Sequence, residues 1–403
     1  DLVFDGLRRW RSAAVRGGGE SGRCRLLGLL REDGVDPATV FTGDRHAPAP
    51  LSPQEAAAGG SPTGPAAVDL PDWLWSVFAD DLGDDAAPVA AARRARAPVF
   101  LRVNTALSDR TAARAALARE GIATEAVETA DTALRVTAGA RRVARSAAFA
   151  AGVVELQDAA SQAVVAALPL QPGQRVLDYC AGGGGKALAM AAYTGAPVTV
   201  HDADSKRMAD IPARAARAGA ALPLLRPSED RFDGVLCDVP CTGSGAWRRS
   251  PEGKWRLTSA GLARLGRLQA AILAEAAPRV APGGWLGYAT CSVLARENAG
   301  QVAAFLRDNR GWRETLRRSF RPGPHGDGFF GCHGHEIDSV GGRDAKGNTA
   351  LTDRWLSGPE LRVAALFVAL AAACFAVASV VTADAVRLGA LTATGAFATM
   401  AFG

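Results

Sequence analysis

The chain has 403 residues, of which 48% are hydrophobic and 22% charged, and its formal net charge is +5. This composition excludes a chain that is disordered throughout and predicts two or three globular domains. The seven cysteines are odd in number and form no close Cys-x-x-Cys pair, which argues against a disulfide framework and favours reduced thiols in the cytoplasm. The modest positive charge is compatible with RNA as a partner but does not require it.

The N-terminal part predicts helices followed by a linker. Apolar side chains recur at helical spacing over residues 1–60, which we expect to form a helical domain. The chain opens on Asp1 inside this pattern, so we expect further residues upstream. Residues 61–97 predict a linker and a helix, because Pro, Ala, Gly and Ser are enriched over residues 46–70 and Pro71-Asp72 is a helix-start signal.

Two α/β units follow. Residues 98–150 predict a small module that could present a surface to RNA; its elements are a strand over 99–103, a helix over 109–120 and strands near 123–128 and 133–137. Over residues 151–330 strands alternate with helices, which is typical of a doubly wound parallel sheet. The predicted strands are 174–178, 197–201, 221–225, 232–237 and 284–289, and the predicted helices are 186–194, 205–219 and 258–277.

The remaining residues have a different composition. Residues 331–360 are polar and rich in glycine and predict a linker, whereas residues 361–403 form a hydrophobic tail. Within that tail, residues 363–383 carry no charge and are long enough to span a bilayer as a helix. A membrane span, a buried helix, and a segment fused or frame-shifted from another gene stay open as explanations.

Four metal-ligand side chains stand close together near residue 334. They are Cys332, His333, His335 and Glu336. Structural zinc sites take four ligands, typically from two separated pairs, and no second half accompanies these residues. We therefore predict no bound metal.

Two cysteines of the larger α/β domain follow strand-like stretches. Cys241 comes after residues 232–237 and Cys291 after residues 285–289. Ligands of open α/β sheets bind at the carboxyl ends of the strands, so both thiols are expected to face one crevice. A deprotonated thiol is a strong nucleophile, so one cysteine could attack a substrate while the other handles proton or leaving-group chemistry. The alternative is that both are small buried hydrophobic residues.

Basic and aromatic side chains cluster just after Cys241. The cluster comprises Trp247, Arg248, Arg249, Lys254, Trp255 and Arg256. Because arginine and lysine bind phosphates and tryptophan stacks on bases, we predict an RNA contact here, with a solvated loop as the alternative.

A glycine-rich turn predicts a nucleoside cofactor. The apolar run Val176-Leu177-Asp178 is followed by four glycines and then by a predicted helix, and glycines let a ligand approach the backbone. Asp202 ends the next strand, where a carboxylate can accept both ribose hydroxyls. Alternatively, Asp202 or Asp204 caps the helix that begins near Ser205. The turn and Asp202 alone are also compatible with a nicotinamide-dependent dehydrogenase, which leaves both thiol motifs unexplained.

Several motifs, in this order, resemble those of the RsmB/Sun family of S-adenosylmethionine-dependent (ribosomal) RNA cytosine-C5 methyltransferases. They are Gln157-Asp-Ala-Ala-Ser-Gln162, Asp178-Tyr-Cys-Ala-Gly-Gly-Gly-Gly-Lys186, Asp238-Val-Pro-Cys-Thr-Gly243, Arg248-Arg-Ser-Pro251 with Lys254-Trp255, Thr290-Cys-Ser292 and Gly326-Asp-Gly-Phe-Phe330. The resemblance covers about residues 1–330. It implies an α/β fold: a Rossmann-like class I methyltransferase domain over 151–330, a small α/β RNA-binding module over 98–150, and a truncated NusB-like helical domain over 1–60.

The resemblance also implies a division of labour between the two thiols. Cytosine C5 is too electron-poor to attack a methyl sulfonium until a nucleophile has added to C6. The family assigns this attack to Cys291 and assistance in the later release to Cys241. The cofactor would be S-adenosylmethionine, and the residues implied to bind it are Cys180, Ala181, Gly182, Gly183, Gly184, Gly185, Lys186, Asp202 and Asp238. Asp238 would also bind the base edge.

Two departures from the family pattern concern the cofactor. Gly183 stands where the family usually has proline, and the acidic residue expected near the adenine has no clear match within residues 224–230, so we name no adenine-binding residue.

The implied partner is RNA, most directly small-subunit ribosomal RNA. A tRNA substrate and a catalytically silent RNA-binding ribosome assembly factor stay open. DNA is not expected, because the DNA cytosine-C5 enzymes lack the second cysteine. We expect a cytoplasmic monomer, with membrane association open if residues 363–383 span a bilayer.

Overall fold

The computed structural model describes residues 2–227 and 231–336, which form two β-sheets flanked by helices. The N-terminal part is helical, as predicted. Its helices are α1 (Leu2–Arg8), α2 (Trp10–Gly17), α3 (Gly22–Glu32), α4 (Pro53–Ala57), α5 (Gly64–Ala67), α6 (Asp72–Leu82) and α7 (Ala86–Ala92). Local hydrogen bonds set these starts, since the Ser21 side chain accepts from the Cys24 amide at α3 and Ser52 forms a capping box with Glu55 at α4.

The prediction of a linker is wrong for its last residues. α5 lies within the predicted linker, and Asp69 and Leu70 are fully buried. The Asp69 carboxylate accepts hydrogen bonds from the Arg11 and Ser12 amides and pairs with Arg94 at 2.7 Å. Asp69 therefore ties α2 to the end of α7, a long-range contact that composition does not indicate.

The smaller sheet has four antiparallel strands in the order β2-β3-β1-β4. Its elements are β1 (Val99–Val103), α8 (Arg110–Arg119), β2 (Ala123–Ala126), β3 (Ala133–Ala138), α9 (Ala147–Ala150) and β4 (Val154–Leu156). Alternation of apolar side chains predicted the first three strands and α8 within a few residues. Leu101, Leu117 and Leu134 meet in the core between the sheet and α8.

The larger sheet has six strands in the order β6-β5-β7-β8-β10-β9. Its elements are α10 (Ala159–Ala166), β5 (Val176–Asp178), α11 (Gly185–Thr194), β6 (Val198–Val200), α12 (Ile211–Ala218), β7 (Phe232–Asp238), α13 (Gly253–Arg256), α14 (Ser259–Ala276), β8 (Val280–Thr290), α15 (Ala299–Asp308), β9 (Trp312–Phe320) and β10 (Phe329–Glu336). β5 to β8 pair in parallel, and β10 runs antiparallel to both neighbours. The chain reverses its direction of winding between β5 and β7, and the carboxyl ends of strands at such a point form a ligand crevice.

Two predicted elements of this domain are wrong. Residues 221–225 form no regular strand but a single parallel bridge between Val200 and Leu224, because Pro223 has no amide hydrogen to donate. The helix expected over residues 205–219 is split into a short 3₁₀ turn and α12. Pro212 stands at the start of α12, where a proline is tolerated, whereas inside a longer helix it would break the hydrogen-bond ladder.

The prediction of a polar linker over residues 331–360 is wrong for residues 331–336, which belong to β10. Glycine here serves close packing: a Cβ at Gly331 would stand 2.8 Å from Val164 of α10. Cys332 and His333 are buried in the sheet, and the described residues include no group of three or more side chains placed to hold a metal.

Within the described part of the chain, no helix is both long and apolar enough to cross a bilayer. The candidate span over residues 363–383 and the tail over 361–403 lie outside the described residues.

The cluster predicted to contact RNA is largely internal. Arg248 is 3% exposed and pairs with the buried Asp327, which also accepts from Arg249. Lys254 and Trp255 donate to the backbone carbonyls of Arg8 and Leu7 at 2.8 and 2.7 Å. These side chains therefore join the loop after β7 to α1 and to the loop before β10. Basic residues are usually exposed, which is why the sequence favoured a nucleic-acid surface.

The Arg248–Asp327 pair gives a stability prediction. Asp327→Asn leaves the buried Arg248 guanidinium without its counter-charge, and breaking a buried pair in this way costs about 3–5 kcal/mol. Urea unfolding should show this decrease in the free energy of unfolding. Asp308→Asn, at an exposed pair with Arg307, is the matched control and should leave the urea midpoint unchanged. Equal stability of the Asp327 variant and the wild type would contradict the assignment.

Candidate active site

The two predicted cysteines meet at the carboxyl ends of β7 and β8. These strands are neighbours in register, with Asp238 opposite Ala289, and each cysteine follows within three residues of its strand end. The Sγ atoms of Cys241 and Cys291 lie 3.4 Å apart, in hydrogen-bonding contact. This contact together with burial raises the pKa of Cys241 well above its ordinary value, so Cys241 holds its proton near neutral pH.

The loop after Cys241 rests on α6 and α7. The indole of Trp247 donates to the Thr242 carbonyl at 2.9 Å, and Arg93 donates to the Ser244 carbonyl at 3.1 Å. The Arg93 guanidinium lies over the rings of Phe78 and Trp247 at 4.1 and 5.4 Å, and burial lowers its pKa to about 9. These contacts fix the backbone of the loop that follows Cys241.

The glycine turn connects β5 to α11 as predicted. Gly182 and Gly184 have φ values of 52° and 79°, in the left-handed region that favours glycine. Asp202 is 8% exposed and accepts hydrogen bonds from the Gly182 amide and from Arg207, both at 2.9 Å. The side chain that caps the following turn is Asp204, which accepts from the Lys206 amide at 3.1 Å. Of the two aspartates, Asp204 is therefore the one that caps this turn.

The structure gives a local reason for glycine at position 183. The Gly183 carbonyl accepts a hydrogen bond from Arg214, and a Cβ at this position would stand 2.7 Å from the same guanidinium. Arg214 also lies 3.5 Å from Glu155 in β4. A proline at position 183 would therefore crowd an arginine that links the glycine turn to the smaller sheet.

An ion pair joins the glycine helix to the loop of Cys241. Lys186, in the first turn of α11, donates to Asp238 at 2.5 Å and lies 5.3 Å from the centre of the Phe329 ring. Burial alone would lower the pKa of Lys186, but the charge of Asp238 holds it above the ordinary value. The Lys186–Asp238 ion pair thus links the predicted cofactor turn to the strand that leads to Cys241.

Of the remaining predicted residues of the turn, Ala181 is buried, whereas Cys180 and Gly185 are partly exposed. Burial raises the pKa of Cys180, which keeps this thiol protonated and unsuited to nucleophilic attack. Ala181 lies in the core beneath the turn. Gly185 begins α11.

Sequence reasoning missed Glu297 and Asn298. Glu297 is 1% exposed and accepts hydrogen bonds from both cysteine loops, whereas Asn298 accepts from Thr290 and donates to the Ser292 carbonyl at 2.6 and 2.9 Å. The only signal is their position shortly after Thr290-Cys-Ser292, and in sequence they resemble an exposed polar turn.

Comparison with known proteins identifies the family of both α/β domains. Residues 165–325 match the family described as 16S rRNA methyltransferase RsmB/F, and residues 70–142 match the ferredoxin-like domain of RsmF/B-like methyltransferases. The chain belongs to the RsmB/Sun family. Its larger domain is therefore a Rossmann-like methyltransferase domain, and its smaller sheet belongs to a ferredoxin-like domain that starts before β1.

Individual relatives extend the comparison. The ribosomal RNA small subunit methyltransferase B of Salmonella arizonae is 38% identical over 200 residues, which are 45% of this chain and 47% of that protein. The protein of the same name from Xanthomonas campestris pv. campestris is 32% identical over 295 residues, 70% and 64% of the two chains. This chain thus spans about half to two thirds of the length of these relatives. The NusB-like assignment of residues 1–60 stays a prediction.

One solved structure shows the shared fold. The crystal structure of NSun6 from Pyrococcus horikoshii with SFG, an analogue of S-adenosylmethionine, has a TM-score of 0.58 and 16% identity, and the match covers 66% of this chain and 98% of that one.

The buried Asp178 predicts a pH-dependent stability. Burial and the charge of Asp238 raise the pKa of Asp178 to about 7. A pKa raised on folding gives a stabilising contribution that is complete below the unfolded pKa, near 4, and is lost as the pH rises through 7. Asp178→Asn removes this loss, so the variant should gain stability relative to wild type between about pH 4 and 7, by up to about 4 kcal/mol. Urea unfolding at a series of pH values measures the difference; a difference independent of pH would contradict the raised pKa.

Proposed function

We propose that this protein transfers a methyl group from S-adenosylmethionine to C5 of a cytosine in RNA. The observation that carries the proposal is the 3.4 Å contact between Cys241 and Cys291 at the carboxyl ends of adjacent parallel strands. A pair of free thiols in a crevice beside a glycine turn suits a reaction with one nucleophilic and one releasing thiol. A nicotinamide-dependent dehydrogenase would use neither.

The two thiols have different tasks in the proposed reaction. Cys291 Sγ adds to C6 of cytosine, which makes C5 electron-rich enough to take the methyl group. Transfer breaks the sulfonium–methyl bond and leaves S-adenosylhomocysteine. The C5 proton then passes to a base such as water, the C5–H electron pair re-forms the C5=C6 double bond, and Cys291 leaves C6 as a thiolate. Cys241 assists this release. Its raised pKa supports the assignment, because a thiol that holds its proton is a poor first nucleophile and a suitable partner in proton transfer.

Asp238 is proposed to bind the base edge, around N3 and the exocyclic amine. It ends β7 three residues before Cys241, and its ion pair with Lys186 fixes its position. A carboxylate fixed before the substrate arrives can stabilise the adduct without reorganising.

The chemistry of the glycine turn fits the cofactor. Residues Cys180 to Lys186 would enclose its methionine and ribose end, and Asp202 would accept the ribose hydroxyls, in exchange for its present contact with the half-exposed Arg207. S-adenosylmethionine, when bound, supplies an electrophilic methyl group. The SFG complex of NSun6 supports the choice of cofactor for this fold.

Small-subunit ribosomal RNA is the proposed substrate. The relatives that match over 200 to 295 residues carry that substrate in their names. The net charge of +5 is compatible with a polyanionic partner.

Substituting the thiols separates their roles. Cys291→Ala should abolish methyl transfer from labelled S-adenosylmethionine to ribosomal RNA, since no adduct forms. Cys241→Ala should accumulate a covalent protein–RNA adduct, visible on a denaturing gel. Cys24→Ala, in α3, is the matched control and should methylate like wild type. Equal loss without adduct in both crevice variants would refute the division of labour, and lack of transfer by the wild type to any RNA, together with no cofactor binding, would refute the enzyme itself.

The two aspartates after β6 test the cofactor assignment. Asp202→Asn should weaken S-adenosylmethionine binding by about tenfold or more, because a hydrogen bond to a charged group contributes about 1.5–3 kcal/mol. Asp204→Asn changes the same functional group at the capping position and should bind the cofactor like wild type. Isothermal titration calorimetry measures both; an equal effect of the two substitutions would argue against a ribose contact.

A further inference from the structure

Glu297 connects the two cysteine loops through a single carboxylate. From the first loop, Thr242 donates both its amide and its hydroxyl to Glu297, at 2.9 and 2.5 Å. From the second loop, Ser292 donates its hydroxyl at 2.5 Å. Thr242 directly follows Cys241 and Ser292 directly follows Cys291, so the carboxylate holds the residue next to each thiol.

We propose that Glu297 is a positioning residue that sets the distance between Cys241 and Cys291. This inference rests on the proposed function, for which that distance matters. The carboxylate has both oxygens engaged: Oε1 accepts from Thr242 and, at 3.1 Å, from Gln269, and Oε2 accepts from the two hydroxyls. Four donors aimed at two oxygens satisfy a carboxylate, whereas an amide would present two hydrogens to some of them.

Neighbouring bonds make the clamp rigid. Gln269, on α14, also donates to the Pro240 carbonyl at 3.0 Å, so α14 holds the backbone on the other side of Cys241. The hydroxyl of Ser244 lies 2.9 Å from that of Ser292, which adds a second link between the loops. The hydroxyl of Tyr288 donates to the Glu297 carbonyl at 2.6 Å and fixes the backbone of Glu297 itself.

The hydrogen bonds of Glu297 reach the residues next to the thiols. It is 1% exposed, and its carboxylate accepts from Thr242, Ser292 and Gln269. Its charge also acts on Cys241, whose pKa it helps to raise. If either loop moved away, the buried Glu297 carboxylate would lose hydrogen-bond donors, and its charge would be destabilised. The carboxylate therefore favours the arrangement in which both loops stand together.

The test compares Glu297→Gln with Glu314→Gln, a matched control on β9, outside the crevice. The first readout uses dibromobimane, which becomes fluorescent after it alkylates two nearby thiols, with peptide mapping to identify the Cys241–Cys291 crosslink. The second is steady-state methyl transfer. For Glu297→Gln we expect less crosslink per folded molecule and at least about a tenfold lower kcat, because displacements near 1 Å can cost about 100-fold. KM for S-adenosylmethionine should stay unchanged, since the cofactor turn is not involved.

Other outcomes overturn the proposal. A lower melting temperature with wild-type crosslinking of the folded protein would mean that Glu297 only stabilises the fold. If Glu297→Gln does not fold, Ser292→Ala removes the bond from the second loop, and Thr242→Val removes the hydroxyl bond from the first loop while its amide bond stays. Wild-type crosslinking in the double variant would be equally decisive. Crosslinking needs neither RNA nor cofactor, so it tests the clamp even if the wild type methylates no RNA and the proposed function fails.

Discussion

The parallel pairing of β7 with β8 is the constraint on which the crevice depends. Cys241 and Cys291 are 50 residues apart in sequence, and their contact follows from the register that sets Asp238 opposite Ala289. The pairing continues past the strand ends, where the Val239 amide donates to the Ala289 carbonyl at 3.0 Å and the Gly245 amide to the Cys291 carbonyl at 2.9 Å. A shift of one residue in this register would turn the side chains to opposite faces and separate the thiols.

The Lys186–Asp238 pair links the cofactor turn to the thiols. α11 carries the lysine and β7 ends at the aspartate, so the two parts of the proposed site share one ion pair between the buried Lys186 and the partly exposed Asp238. Loss of either partner would leave a charge without its counter-ion in a poorly solvated place, and the effect would reach both the glycine turn and the Cys241 loop. In the proposed function, binding of the cofactor and orientation of the base would therefore depend on each other through this ion pair.

Sequence patterns predicted the strands and the glycine turn, because these elements depend on residues that are close together in the chain. The strands that end at or shortly before Asp178, Asp202, Cys241 and Cys291 follow from apolar runs, and the glycine turn follows from its composition. Glu297 was missed because a buried carboxylate that binds donors from distant loops has no local signature. β10 was missed because Gly331 packs closely against α10 and Gly334 against β9, and in sequence such glycines are indistinguishable from those of a linker. The prediction for the basic cluster after Cys241 was wrong for its buried members, because Arg248 and Lys254 find partners only in the folded chain.

The position of β10 has a consequence for the order of events during synthesis. β10 lies between β8 and β9 although it is the last strand described, and the turn before it bonds to the Cys241 loop through the Gly328 amide and the Gly245 carbonyl at 3.0 Å. β8 and β9 thus do not pair with each other, and β9 can join the sheet only through β10. A ribosome that has exposed both cysteines has not yet exposed β10, so β7 and β8 can pair while the far edge of β8 is still uncovered.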